Sequence, residues 1–531
     1  SQCSEGHTKY SQAAPHHRCS MQVLQGMGRA AGKRILIVCD GTRGDSQPYF
    51  GLAVGLQSSG YTVKIATNSN HVEMGSSLGL DVEGCVYDSE TLIREDEAWL
   101  RAMAAGDMLK FVDALSNVTE RRFEEVLTNH IAVIDKFKPE LIIASVLGIT
   151  HMRMLGFAYG IPVLHATLQN CNATAYMCSF LNEPDWLPKR WHFVAWLLLT
   201  YMMYTAEIKK VLLIRDKLRL PGTEGYGSSF LSFLYMINHP EMTPLVGSSQ
   251  ALTPILPDMS ADAKQNITGA WVVNQTTQAV QEAKGCKAFG GQDSDRIREF
   301  LAEGTSPVYM GWGSMVCLSP EHMVKFGVSV LKQIGRRGIL LGGFAQLKST
   351  MLEGELELQA YAEKNVLFVD AAAHECLFPH CAVIVHHGGM GTTQAAFRAG
   401  RPQVVTPVFT DQYTSGQKVQ KLGCGFGLKQ FQKCSVNAVA NAVSACLVKP
   451  EIAIRAADVG TRLRSEDGVA EGILAVNSTF HDIDSGKWRT KMELNKAIMF
   501  SEKAQRRTSC FAWLYRAFCM PNYNDYRSWI A

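Results

Sequence analysis

The chain has 531 residues, 47% of them apolar and 19% charged, which suits an ordinary globular protein with two or three domains and excludes a disordered or fibrous one. Its 52 Lys and Arg against 49 Asp and Glu leave a net charge of +3, too small for the basic footprint of a nucleic-acid binder. The 15 cysteines form no C-x-x-C pair and no metal-ligand spacing, so they are expected as reduced, mostly buried thiols of a cytosolic protein.

Residues 1–32 are polar and without period, and are expected as a disordered lead-in. Arg34 to Cys39 (RILIVC) has the continuous apolar character of a buried strand. A loop, Asp40 to Pro48, leads to a helix with Phe50, Ala53, Val54 and Leu56 on its apolar side, and Tyr61 to Ala66 is the next strand. This is a β-loop-α-β crossover without the dinucleotide fingerprint, so no NAD is expected. Asp45 stands just past the carboxyl end of the first strand, where α/β sheets place ligands; by position alone it reads as a helix N-cap. Helical spacing over 107–137, a strand at Leu141–Ala144, a helix to Gly160 and a strand at Ile161–Leu164 continue the alternation. His151 and His165 read as satisfied core or rim histidines.

Residues 168–240 break the rhythm. Trp191 to Ala206 carries no formally charged side chain and is rich in Trp, Tyr and Met. It is shorter than the ~20 residues that span a bilayer, and Lys209, Lys210, Arg215, Lys217 and Arg219 follow it. It reads either as a buried helix or as an apolar wall presenting Trp191, Trp196 and Tyr201 to a lipophilic ligand or a membrane surface. Residues 274–293 are polar, with Gly290-Gly291, and are expected as an interdomain linker.

A second alternating domain is expected from Ser294. Its first strand, Pro307 to Met310, ends in Gly311-Trp312-Gly313-Ser314-Met315, where Gly313 and Ser314 can offer backbone and hydroxyl donors to a phosphate. A helix over 320–334 and strands at Gly338–Leu341 and Asn365–Val369 follow, and then the segment AAAHECLFP. Ala382 to Val385 is a further buried strand. It stops at His386-His387 and the glycines Gly388, Gly389 and Gly391, and a helix is expected from near Thr392. A glycine-rich turn between a strand and a helix N-terminus bares several N–H groups toward one point and adds the positive end of the helix dipole. The ligand such a turn suits is a phosphate or diphosphate. Gly400 and Pro402 end the helix, and a strand at Gln403–Thr406 leads to Asp411 and Gln412.

HHGGMGTT, followed by AGRP and TPVFTDQ, resembles the donor-binding signature of inverting nucleotide-sugar glycosyltransferases, notably the sterol glucosyltransferases and the bacterial macrolide and glycopeptide-antibiotic glycosyltransferases. Asp40 to Pro48 contains GTRGD-x-x-P, which resembles that family's N-terminal GSRGD-x-x-P, and Gly311 to Met315 resembles its G-F-G-S-M with Trp312 in place of Phe. Where the family commonly has Ser/Val-Pro-His, Ala371 to Ala373 stand instead, while His374 and Leu377-Phe378-Pro379 match. The resemblance covers roughly residues 33–100 and 243–450.

It implies an α/β protein of the GT-B fold, two Rossmann-like domains with parallel sheets facing a cleft. The acceptor domain is expected over 33–273, the donor domain over 294–480, and a C-terminal helix with a basic, aromatic tail over 481–531. The implied activity is transfer of a hexose, glucose by resemblance, from a UDP-sugar to the hydroxyl of a sterol-like lipid, with inversion. Asp45 is implied as general base. Gly313, Ser314, Ala372, His374, His386, His387, Gly388, Gly389, Gly391, Thr392, Thr393, Asp411 and Gln412 are implied in donor binding. His386 is expected to hydrogen-bond the diphosphate, Ala372 to meet the base through its backbone, and Asp411 and Gln412 to hold sugar hydroxyls. No cofactor and no metal are expected, since the donor is a co-substrate. Peripheral membrane contact and no nucleic acid are expected of the partners. A non-catalytic lipid-binding or helper protein, an epimerase and a phosphorylase are the competing readings on the same fold.

Overall fold

A computed structural model of the protein describes residues 32–171, 174–180, 186–220, 230, 233, 241–257 and 266–499. The expected polar lead-in up to residue 31 and the tail beyond 499 lie outside the described residues. Two parallel sheets carry the fold. The first holds β1 (Arg34–Cys39), β2 (Thr62–Asn68), β3 (Asp81–Val86), β4 (Leu141–Ala144), β5 (Val163–Thr167), β6 (Leu245–Val246) and β7 (Asn266–Ile267), in the order β3-β2-β1-β4-β5-β6-β7. The second holds β8 (Val308–Gly311), β9 (Gly338–Leu341), β10 (Val366–Val369), β11 (Val383–His386), β12 (Gln403–Val405) and β13 (Gly425–Gly427), in the order β10-β9-β8-β11-β12-β13. The apolar runs of β1, β4 and β11 are buried on both faces, as parallel strands covered by helices must be. In each sheet the chain first winds outward and then returns to the other side of its first strand. The reversals fall between β1 and β4, registered as Ile35 with Leu141, and between β8 and β11, registered as Val308 with Val383. Such switch points open a crevice beyond the strands' carboxyl ends.

Seven helices matter for the site: α1 (Arg43–Ser58), α2 (Met108–Phe137), α3 (Ile149–Tyr159), α4 (Lys189–Lys217), α5 (Met390–Arg398), α6 (Gln412–Lys421) and α7 (Gly468–Asp484). Leu36 and Val38 of β1 face a core built with α2, α3 and α4, including Phe123, Leu127, Met152 and Ile214. Ile35, Ile37 and Cys39 face the opposite core, with Phe50 and Leu52 of α1 and Ile473 and Val476 of α7. The chain has thus returned to the N-terminal sheet by Gly468, earlier than position 481. Gly472 makes that approach close: a Cβ there would lie 2.8 Å from Leu52. In the other direction, Trp99, Met103, Ala114 and Val118 belong to the core of the second sheet, and Phe111 stacks on Phe409 at 4.5 Å. Each half therefore lends helices to the other, which fixes the two sheets' carboxyl ends face to face.

Two elements differ from the sequence reading. Helix α1 starts at Arg43, not after Pro48. Asp45 Oδ2 accepts from the N–H and the hydroxyl of Thr42, each at 2.8 Å, and this capping box starts the helix early. Pro48 then sits inside the helix and leaves the Gly44 carbonyl without its intrahelical donor. Helix α4 runs through four of the five basic residues after Ala206, Lys209, Lys210, Arg215 and Lys217, and ends before Arg219. Lys209 pairs with Glu120 at 2.9 Å, Lys217 with Glu124 at 3.6 Å and Lys210 with Glu207 at 2.7 Å. Those charges join α4 to α2 and to itself. Among the described residues no helix is long and apolar enough to cross a membrane.

Candidate active site at the facing strand ends

The turn from β11 into α5 uses its two histidines differently. His386 Nδ1 accepts from the Gly388 N–H at 3.1 Å, so its proton sits on Nε2, which donates to Gln403 Oε1 at 2.9 Å. The ring is fully buried, and burial pushes its pKa down to about 4. With both nitrogens engaged inside the protein, the neutral ring shapes the turn. His387 keeps one nitrogen unpaired: its Nδ1 is buried with no hydrogen-bond partner among the described residues. A Cβ at Gly313 would lie 2.9 Å from its Cε1, and one at Gly389 would overlap its Nε2. Those two glycines make room for this ring. Burial chiefly, with His386 adding and the Gly311 backbone opposing, pushes His387 to about 3.

The turn also spends some of its donors on itself. The Gly388 N–H goes to His386, so it is not offered to a ligand. Gly388 has φ +97°, and a Cβ there would meet the Gln412 carbonyl and Val405 at 2.8 Å. The Thr393 N–H and hydroxyl both donate to the Gly389 carbonyl, each at 2.9 Å. What remains for an anion is the start of α5, the N–H groups of Met390, Gly391 and Thr392, which have no intrahelical acceptor. The half-buried Thr392 hydroxyl has no hydrogen bond among the described residues.

Beside this turn, Gly313 adopts φ +58° and Ser314 is half-buried, its hydroxyl without a hydrogen bond among the described residues. Trp312 is fully buried and its indole N–H donates to Thr406 Oγ1 at 3.0 Å, so the larger ring is accommodated with its polar atom satisfied. Ala372 is buried under the linker. Gly290, at φ +77°, lies so close that a Cβ there would meet the Ala371 carbonyl at 2.6 Å and Ala372 Cα at 2.8 Å. His374 stacks on Phe378 at 4.4 Å, and its Nε2 lies 3.3 Å from the Tyr309 hydroxyl. Burial, with Arg43 adding, pushes His374 to about 3.

Asp411 and Gln412, adjacent in sequence, part company in space. Asp411 Oδ2 accepts from Gln169 Nε2 at 3.0 Å, across the cleft, and Oδ1 accepts from Thr410 Oγ1 at 2.7 Å. Gln412 is buried: its Oε1 accepts from the Val408 and Phe409 N–H groups at 2.8 and 3.1 Å, and its Nε2 faces Met315 Sδ at 3.5 Å. Its side chain braces the 407–409 loop. Gln169 was not read from the sequence. It follows the carboxyl end of β5, and that position was the available signal.

The N-terminal turn closes the site. A Cβ at Gly391 would meet Gly44 Cα at 3.5 Å and the Gly44 carbonyl at 3.7 Å. The start of α1 and the start of α5 are therefore in contact range across the cleft. Asp45 is the third residue of α1, not its N-cap. Its Oδ2 is held by Thr42, while Oδ1 has no hydrogen bond among the described residues. Its pKa is raised, chiefly by burial, with Asp411 adding and Thr42 opposing. Thus the carboxylates of the two sequence signatures share one cleft.

The acceptor-side residues separate. Trp196 is core: it is 2% exposed, and its indole N–H donates to the Met177 carbonyl at 3.0 Å. Met177 lines a small pocket with Gln169, Leu252, Thr414 and Lys418, so Trp196 acts one layer behind it. Trp191 and Tyr201 are exposed at 38% and 41% and do not line that pocket. His151 is buried and His165 half-buried, and Nε2 of each has no hydrogen-bond partner among the described residues.

Residues 349–470 match the C-terminal domain of the erythromycin biosynthesis protein CIII-like family. Over 462 residues the chain is 27% identical to a sterol 3-beta-glucosyltransferase of Neosartorya fischeri, covering 86% of this chain and 30% of that protein. The protein of the same name in Yarrowia lipolytica is 26% identical over 480 residues, 87% of this chain and 30% of the relative. The chain thus spans about 30% of the length of these relatives. The solved glycotransferase of kitacinnamycin aligns with a TM-score of 0.55 at 17% identity, over 85% of this chain and 98% of that one. CalG4, the calicheamicin glycosyltransferase, gives 0.54 at 15%, over 85% and 99%. The Streptomyces sp. SF2575 glycosyltransferase SsfS6, complexed with thymidine diphosphate, gives 0.52 at 15%, over 84% and 99%. In sequence the chain resembles the sterol 3-beta-glucosyltransferases, and its fold is that of the GT-B glycosyltransferases.

Proposed function

We propose that this protein transfers a hexose from a nucleoside-diphosphate sugar, UDP-glucose by resemblance, to the hydroxyl of a sterol-like alcohol, with inversion. One observation carries the proposal: the free N-terminus of α5 and Asp45 of α1 meet across the cleft, with Gly391 against Gly44. The donor diphosphate fits the N–H groups of Met390, Gly391 and Thr392, with the Ser314 and Thr392 hydroxyls and His387 beside them. Charge growing on the departing diphosphate is stabilised there. From the other side Asp45 Oδ1 takes the proton of the attacking hydroxyl. Burial raises the Asp45 carboxyl and so strengthens it as a base. Asp411, held by Gln169, bonds a sugar hydroxyl. The one bond made at the anomeric carbon replaces the one broken to the diphosphate.

The acceptor class is supported by the names of the relatives and by the apolar pocket residues Met177, Leu252, Pro254 and Leu256. Trp191, Leu198 and Tyr201 lie seven and three residues apart and share an exposed face of α4. That face suits peripheral contact with a lipid surface, tested by co-sedimentation with neutral and anionic vesicles against a Trp191→Ser, Leu198→Ser variant. The test of function is a mass-spectrometric screen of UDP- and TDP-sugars against pooled sterols and lipid alcohols. A hexosylated sterol is the expected product. Absence of product with every pair, together with absent nucleotide-sugar binding by calorimetry, would overturn the reading.

A further inference from the structure

Beneath the switch point of the N-terminal sheet lies a second group of polar side chains that the transfer reaction does not use. Asp40 follows β1 on the same face as Leu36 and Val38, so it points into the layer of α2, α3 and α4. There it meets His130 of α2 and His151 of α3. One ligand atom from each of the three lies within 4.8 Å of the other two. The histidine rings stack, with centroids 5.2 Å apart. Asp40, His130 and His151 are exposed by 9%, 0% and 4%.

Their hydrogen bonding is what sets them apart. Asp40 Oδ1, both ring nitrogens of His130 and His151 Nε2 are buried with no hydrogen-bond partner among the described residues. Each such atom left unpaired carries a desolvation cost, and four in one place are not explained by packing. An apolar core would fill this position with Leu or Ile. A set of two imidazoles and one carboxylate, aimed at a common point, is what a borderline divalent metal ion takes. A tetrahedral ion with ligands at about 2.0–2.1 Å needs about 3.3 Å between ligand atoms. Rotamer shifts on the order of 1 Å would close this group to that spacing. Gly148, between β4 and α3, leaves room: a Cβ there would lie 3.7 Å from both Asp40 Oδ2 and His151 Cε1. The nearest cation, Lys210, is paired with Glu207 Oε1 at 2.7 Å, while Glu207 Oε2 is buried without a partner on the same helix.

We infer that Asp40, His130 and His151 form a zinc-class metal site that ties α2 and α3 to the end of β1. The three come from positions 90 and 21 residues apart in the sequence, so no short ligand spacing announces them. The fourth position is left to water.

The test uses the full chain and the metal alone. Metal-stripped protein is titrated with Zn2+ against a chromophoric chelator, and with Co2+ followed by visible absorption. One equivalent of Zn2+ is expected, with affinity at least tenfold weaker in Asp40→Asn and in His130→Gln. The Co2+ form is expected to show tetrahedral ligand-field bands with no thiolate charge-transfer band. Failure to bind a stoichiometric ion, binding unchanged in both variants, or a thiolate band that assigns the ion to cysteines would each overturn the inference. If a variant fails to fold by circular dichroism, the wild-type stoichiometry and Co2+ spectrum decide the matter.

Discussion

The two turns that meet at the cleft do the same topological job with opposite economies. The turn after β1 fixes its helix with one oxygen of a carboxylate: Asp45 Oδ2 holds Thr42, and Oδ1 stays free. The turn after β11 fixes its helix with whole residues: His386 takes the Gly388 N–H and donates to Gln403, Thr393 donates to the Gly389 carbonyl, and His387 Nδ1 with the first N–H groups of α5 stays unpaired. In both, the group that shapes the turn and the group left for chemistry are neighbours. The difference teaches that a signature marks a place, while hydrogen-bond accounting decides which of its atoms face a ligand.

The sharpest way to break this comparison is Asp45→Asn. The amide oxygen can still accept from Thr42, so the capping box and the thermal midpoint should persist. The base is gone, and turnover under saturating donor should fall by about 10²–10⁴. Near-normal turnover would leave Asp45 a helix-start residue only.

Next come the two histidines. His387→Ala should weaken nucleotide-sugar binding by roughly ten- to a hundredfold, the loss of about 1.5–3 kcal/mol for a bond to a charged group, with little change in thermal midpoint. His386→Ala should do the reverse in the first instance. It orphans the Gly388 N–H and Gln403 and should cost about 1–3 kcal/mol of stability. Calorimetry with the nucleotide and denaturant unfolding of both variants separate the roles, and equal behaviour would dissolve the distinction.

The glycines offer a finer contrast. Gly388→Ala places a Cβ at φ +97° and 2.8 Å from a carbonyl, and should cost about 1–2 kcal/mol or more of stability. At Gly391 the new Cβ meets Gly44 at an ordinary 3.5 Å, so folding should be kept while donor binding suffers. Denaturation midpoints and donor affinity measured side by side test this.

Last is the response to pH, in which the buried histidines and Asp45 have opposite signs. Burial holds His374, His386 and His387 at about 3, 4 and 3. The unfolded chain takes up these protons below about 6.5, so their share of stability is present above that pH and is lost as pH falls toward 4. Asp45, raised by burial, favours the folded state at low pH and loses that share as pH rises through its folded value. The histidines dominate by number. The thermal midpoint should therefore drop between pH 6.5 and 4, with a shallower slope in His386→Gln.

Much of the fold was legible from period and punctuation. RILIVC, LIIA and VIVH are too apolar to face water on either side, and each becomes a central parallel strand. Helix starts were less legible. Pro48 suggested a late start for α1, whereas Thr42 and Asp45 begin it at Arg43, because a capping box outweighs one lost backbone bond in the second turn. Trp191 to Ala206 read as one apolar block. In three dimensions Trp196 is core, and Trp191 and Tyr201 are surface, because a helix sends residues five apart to opposite sides.

The sequence alone determined two alternating α/β halves, the glycine turn after β11 and the carboxylate after β1, since backbone sterics and apolar period act over a few residues. Tertiary structure decided what no local pattern encodes. It engaged both nitrogens of His386 and left His387 Nδ1 unpaired, set Gln169 on Asp411 from 242 positions away, and gathered Asp40, His130 and His151 under one sheet. Those outcomes depend on which atoms lose water together, and that is fixed only when distant segments pack.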